Sequence, residues 1–117
     1  MDILQLREYC LAKAHTTESF PFGPEVLVFK VAGKMFALMN VDNEAPSVNL
    51  KCDPERAIEL REHHPEIEPG YHMNKQMWNT VNLQGALSDA FIRELVDHSY
   101  ALIVESLPKK TRLELFS

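Results

Sequence analysis

The sequence predicts an α+β domain in which an antiparallel sheet is covered on one face by helices, in the order α-β(3)-α-β(2)-α. Three observations carry that expectation. Helix starts are marked by Asp53-Pro54 and by Ser88, whose side chains offer acceptors to the unpaired N–H groups of a first turn. Around them stand short runs rich in Val, Phe and Leu, bounded by Gly and Pro. A chain of 117 residues, 45% of them hydrophobic, has the size for one core, and one domain is expected over residues 1–117.

In chain order, Asp2 caps a first helix reaching about residue 13, with Ile3, Leu6 and Cys10 toward the core. Phe20-Pro21-Phe22-Gly23-Pro24 excludes helix and leads into strands. The runs 26–31 and 35–39 flank Ala32-Gly33, a hairpin turn that sets Val31 opposite Lys34 and Phe29 opposite Phe36. A third strand covers about 47–52. Asp53 then caps a helix from Pro54 to about His63, stopped before Pro65. After the Pro69-Gly70 turn, residues 71–84 read as two strands, or one with an irregular lead-in, and 78–83 is the firmer part. Ser88 caps a long helix with a stripe of Ile92, Leu95, Val96, Ser99, Leu102 and Ile103, ended by Pro108. Residues 108–117, with Lys109, Lys110 and Arg112, read as a basic mobile tail.

The composition narrows the function classes. No apolar run approaches the ~18 residues of a membrane span, and Met1-Asp2-Ile3 is not the start of a signal peptide, so a cytoplasmic protein without membrane contact is expected. Cys10 and Cys52 are far apart and form no C-x-x-C pair, which points to buried free thiols. His63-His64 cannot converge on one metal from a regular helix, and no metal or cofactor is expected. No nucleophile elbow, phosphate loop, H-E-x-x-H or paired-carboxylate pattern is present, so the expectation is a binding protein and not an enzyme. The net charge of −5 opposes nonspecific attraction to nucleic acid, but its distribution is uneven. Residues 26–41, 45–52 and 69–87 hold Lys30, Lys34, Lys51 and Lys75 and no acid; the rest of the chain holds eight basic residues and all seventeen acids.

Strand alternation assigns Leu27, Phe29, Val31, Phe36 and Leu38 to the core side. The opposite, open side receives Val28, Lys30, Met35 and Ala37, together with Asn49, Lys51, Trp78, Thr80 and Asn82. The stretch Pro69-Gly70-Tyr71-His72-Met73-Asn74-Lys75 and the following Trp78-Asn79-Thr80 hold the single Trp, a Tyr, a His and a Lys, and no carboxylate. Such groups stack on planar partners and meet anions. Trp78 is expected to be partly exposed beside Lys51 or Lys75, because Asn79 and Asn82 otherwise leave little polar covering on that side, and alternation turns Cys52 inward.

The blocks Phe20-Pro21-Phe22-Gly23-Pro24, Val28-Phe29-Lys30-Val31, Gly33-Lys34-Met35-Phe36-Ala37-Leu38 and Asn49-Leu50-Lys51-Cys52-Asp53-Pro54-Glu55-Arg56-Ala57 resemble the MmcQ/YjbR family of small bacterial proteins. So do Pro69-Gly70-Tyr71-His72-Met73-Asn74-Lys75, Trp78-Asn79-Thr80-Val81 and Asp97-His98-Ser99-Tyr100. The resemblance spans nearly the whole chain in order. It implies an α-β(3)-α-β(2)-α fold similar to bacterial secretion chaperones and related to the frataxin-like, or CyaY-like, fold, and it implies DNA binding. The candidate nucleic-acid-binding residues are Lys30, Lys34, Lys51, His72, Asn74, Lys75 and Trp78, using an open sheet face and the Lys34 hairpin turn. Two other readings stay open: an adaptor meeting a protein partner through Val28, Met35 and Trp78, and a small-ligand pocket around Tyr71, His72 and Trp78. Any DNA binding is expected to be weak and salt-sensitive, and the chain to be a monomer more than an obligate oligomer.

Overall fold

The structure is a computed structural model describing residues 1–41, 44–70 and 73–117. Its order is α1 (Ile3–Leu11), β1 (Thr16–Ser19), β2 (Val26–Val31), β3 (Lys34–Asn40), β4 (Ser47–Lys51), α2 (Pro54–His63), β5 (Ile67–Pro69), β6 (Trp78–Asn82), α3 (Asp89–Ser106) and α4 (Lys109–Phe116). All strands pair antiparallel in one sheet, ordered β1-β2-β3-β4-β6-β5. The α+β expectation holds. Among the described residues no helix is long and apolar enough to cross a membrane.

The helix starts follow the cap chemistry. Asp2 accepts from the Gln5 N–H at 2.8 Å while Gln5 Oε1 accepts from the Asp2 N–H at 3.0 Å, a reciprocal box. Asp53 accepts from the Arg56 N–H at 3.2 Å and Ser88 from the Phe91 N–H at 3.1 Å. The core forms on one side of the sheet, where Leu27, Phe29, Val31, Met39, Val48, Leu50 and Val81 meet Leu6 and Cys10 of α1, Ala57 and Leu60 of α2, and Ile92, Leu95, Val96 and Ile103 of α3.

Four expectations are corrected. Residues 16–19 form a strand, β1, because Glu18 is drawn onto α1 by paired hydrogen bonds with Arg7 and pairs across from Phe29. The strand beside β6 is residues 67–69, ahead of the Pro69-Gly70 turn; Pro69, which lacks an N–H, is tolerated because β5 is a sheet edge. Residues 108–117 hold the helix α4, with Phe116 edge-on to Tyr100 and to His15, and His15 Nε2 bonded to Leu115 O at 2.8 Å. Finally, the hairpin register contains a bulge. Val31 faces Lys34 as expected, yet Lys30 faces Met35 and Phe29 faces Ala37, leaving Phe36 as the extra residue. The bulge keeps Phe36 and Ala37 both in the core and turns Leu38 to the other face, the reverse of simple alternation.

Ser99 of α3 stabilises this irregularity. Its fully buried hydroxyl donates to Phe36 O at 2.6 Å and accepts from the Lys51 N–H at 2.9 Å. The β3–β4 ladder ends at the Ala37–Leu50 pair, and Ser99 stands where the next bond would be. Ser99→Ala leaves a buried carbonyl and a part-buried N–H without that partner, so a loss of about 1 to 3 kcal/mol is expected, read as a lower denaturant midpoint with unchanged slope.

Burial pushes the Cys10 thiol from 9.0 up to about 12, against the opposing pull of Lys13. The folded chain therefore holds this proton where the unfolded chain releases it. The resulting stability is complete below pH 9 and is lost as pH rises toward 12. A stability-against-pH series should show an alkaline decline that is shallower in Cys10→Ala than in the parent.

Candidate functional site

Cross-strand register defines the face that α1, α2 and α3 leave open. A central row runs Ser19, Val28, Leu38, Asn49, Thr80, Glu68 across all six strands. On one side of it lies the row Val26, Asn40, Ser47, Asn82. On the other lie Thr17, Lys30 and Met35, then, past the interruption at Ser99, Lys51 opposite Trp78. Every residue assigned to this face from sequence is found on it except Ala37, which the bulge exchanges for Leu38.

The face is not a flat polar surface. Val28 is fully buried and Leu38 is 7% exposed although neither belongs to the main core, which gives the central row an apolar floor. Above it is a groove of about 480 Å³ with Phe22, Val26, Met35, Leu38 and Met73 as apolar lining. Asn40, Ser47, Asn49 and Thr80 supply uncharged polar groups, and among the described residues Glu25 is the single charged lining residue. Thr80 Oγ1 donates to Asn49 Oδ1 at 2.6 Å across the β4–β6 pair. The aromatic loop beside the groove is open to solvent, Phe20 being 50% and Phe22 64% exposed.

The candidate residues divide into three groups. Lys30, Lys51 and Trp78 share the open face and one row, with all three half-buried. Two strand spacings put the Lys30 and Lys51 backbones about 10 Å apart. Asn74 and Lys75 belong to the turn that feeds β6 at this same end. Asn74 builds that turn, its side-chain oxygen accepting from the Gln76 N–H at 2.9 Å and its carbonyl from the Trp78 N–H at 2.9 Å. Lys75 is exposed, and Arg61 of α2 fastens its carbonyl at 3.0 Å. Lys34 is separate. Its ammonium donates to Ser106 O at 3.3 Å, at the C-terminal end of α3 where a cation is favoured, so it lies on the helix side and not on the open face. His72, and Tyr71 with it, lie outside the described residues.

The lysine-only character expected of the strands is also modified. Because β5 is residues 67–69, Glu68 stands on the open face next to Thr80, and Glu25 borders the groove. Among the described residues, positive charge on this face is thus confined to the row of Lys30 and Lys51 and the adjoining Lys75 turn. Cys52 is buried as expected, and burial raises its thiol, which disfavours the thiolate. His63 is engaged with Glu59 O at 2.8 Å and His64 packs against the Phe91 ring.

What sequence reading missed is the fastening of α3. Asp97 takes Tyr9 Oη at 2.6 Å and pairs with Lys13; His98 Nε2 accepts from the Asp53 N–H at 3.2 Å; Tyr100 donates to Ala14 O and packs edge-on to Phe36. Four successive residues on a helix point in four directions, and these, Ser99 among them, tie α3 to α1, to the start of α2, to β3 and β4, and to the loop after α1. The one signal was Ser99, a polar residue inside an apolar stripe.

The family model described as YjbR matches residues 11–102. The chain belongs to the YjbR family. It is 38% identical over 112 residues to the uncharacterized protein YjbR of Escherichia coli K12, covering 96% of this chain and 95% of that one. It is 42% identical over 91 residues to the uncharacterized protein YbdF of Escherichia coli O157:H7, covering 78% of this chain and 75% of that one. Among solved structures, Deinococcus radiodurans protein DR2400, of domain DUF419, superposes with a TM-score of 0.91 at 41% identity, over 97% of this chain and 86% of that one. A Pseudomonas syringae protein gives 0.77 at 33% identity, over 87% and 98%.

Trp78 is positioned by Gly70, whose N–H donates to Trp78 O at 2.8 Å. A Cβ on Gly70 would come within 2.8 Å of Trp78 Cβ and 2.9 Å of Trp78 O, closer than atoms pack. Because part of the obstacle is strand backbone, Gly70→Ala should cost about 1 to 3 kcal/mol. Thermal unfolding together with a shift in Trp emission checks this, since the substitution moves the single indole.

Proposed function

We propose that this YjbR-family protein is a non-enzymatic binding protein that takes single-stranded DNA on its open sheet face. The observation that carries the reading is the shared row of Lys30, Lys51 and Trp78 on a face without helices. Lysines spaced across a sheet neutralise successive phosphates, and the half-buried indole of Trp78 offers a stacking surface that any base can use. The adjoining Lys75 turn extends the cationic end. The formal charge of −5 and the carboxylates of Glu25 and Glu68 limit the affinity, so a weak, salt-sensitive complex follows. Lys34 makes no part of this surface.

Three lysine contacts to a single strand give a slope of log K against log salt of about −2. Fluorescence anisotropy with a labelled oligothymidine at low salt should show that slope in the parent. Lys30→Ala and Lys51→Ala should each reduce its magnitude by somewhat under one and weaken binding, Trp78→Ala should weaken binding by about 1 to 3 kcal/mol, and Lys34→Ala should leave both quantities unchanged. Absence of binding at low salt, or indifference to the Lys30 and Lys51 substitutions, removes the reading.

A further inference from the structure

We infer that the groove beside the lysine row seats one unstacked base of the bound strand. This inference rests on the nucleic-acid reading of the face and adds to it a specific pocket. The lining separates sharply from the row that meets phosphate. Among the described residues, every lining residue apart from Glu25, whose carboxylate repels an anion, is uncharged. A phosphate is therefore unfavourable in the groove, and a neutral planar group is not. Phe22 supplies an aromatic surface and Met35 and Met73 supply thioethers, polarisable groups that pack well on ring faces and edges. Leu38 makes the floor, while the amides and hydroxyls of Asn40, Ser47, Asn49 and Thr80 give the wall the mixed polarity that a base edge needs.

Position agrees with charge. Met35 belongs both to the groove and to the row of Lys30, and Asn49 of the groove is two residues from Lys51 on the same face of β4. A nucleotide whose phosphate rests on Lys30 or Lys51 thus has its base directed over Met35 and Leu38. The volume of about 480 Å³ lies within the range of small-ligand pockets and admits one base with room to spare. The inferred complex has two zones: charge is met on the lysine row, and base identity is sensed in the groove.

The test compares an oligothymidine with the same backbone made wholly of abasic residues, titrated against the full chain by anisotropy at low salt. The abasic strand, which loses both the groove contact and the stacking on Trp78, should bind at least about 5- to 150-fold more weakly, with the same salt slope, and the Trp78→Ala background isolates the groove's share. In the Trp78→Ala background, Met35→Trp, which fills the groove, should bring the intact strand's affinity down toward the abasic value and leave the abasic strand's affinity unchanged. Glu25→Lys separates the occupants further: a base in the groove predicts less than a tenfold change, whereas a phosphate there predicts a large gain and overturns the inference. Equal affinity for intact and abasic strands overturns it with the parent protein alone, whatever the variants' folding, while leaving phosphate binding on the lysine row standing. No binding of either strand overturns both the pocket and the reading beneath it.

Discussion

A single hydroxyl holds the two layers in register. Ser99 donates to the carbonyl of the bulged Phe36 and accepts from the Lys51 amide, so one α3 side chain completes the hydrogen bonding of β3 and β4 where their own ladder stops. Water does not reach this point, and a bulge there without Ser99 would bury unpaired backbone groups. Its neighbours act on the same helix: Asp97 ties α1, His98 meets the start of α2, and Tyr100 covers Phe36. The run that looked like a family signature is a structural clasp.

The composition of the open face depends on that clasp. With a bulge at Phe36, two successive side chains enter the core and Leu38 emerges on the far side beside Val28, making an apolar floor where unbroken alternation would have left Ala37. The same interruption lies between Lys30 and Met35 on one side and Lys51 and Trp78 on the other. Packing on one side of the sheet thereby sets the chemistry on the other.

Much of this was legible in the sequence because the signals were local. Asp2, Asp53 and Ser88 each cap the helix that cap chemistry assigns to them, and α2 begins and ends where Pro54 and Pro65 require. The outward placement of Lys30, Lys51, Trp78, Thr80 and Asn82 followed from period two. The misplaced features are those whose cause is tertiary. β1 forms through an Arg7–Glu18 pairing between separate elements, and α4 docks through Phe116 on rings 16 and 101 residues earlier in the chain. The bulge is invisible to alternation because the Ser99 that permits it lies 63 residues away. Glu68 came to the open face only because its strand ends at Pro69 and does not begin after it, a boundary set by pairing with β6.

The two margins of the sheet are short and chemically blunt. β1 has four residues and carries Glu18, whose charge is held toward α1; β5 has three and ends in Pro69, which offers no N–H. A third strand laid along either margin would find few open ladder positions, and this is how soluble sheets avoid growing by addition. A protein with one bare sheet face and two closed margins is approached broadside, so whatever associates with it is recognised through side chains and not through shared backbone pairing.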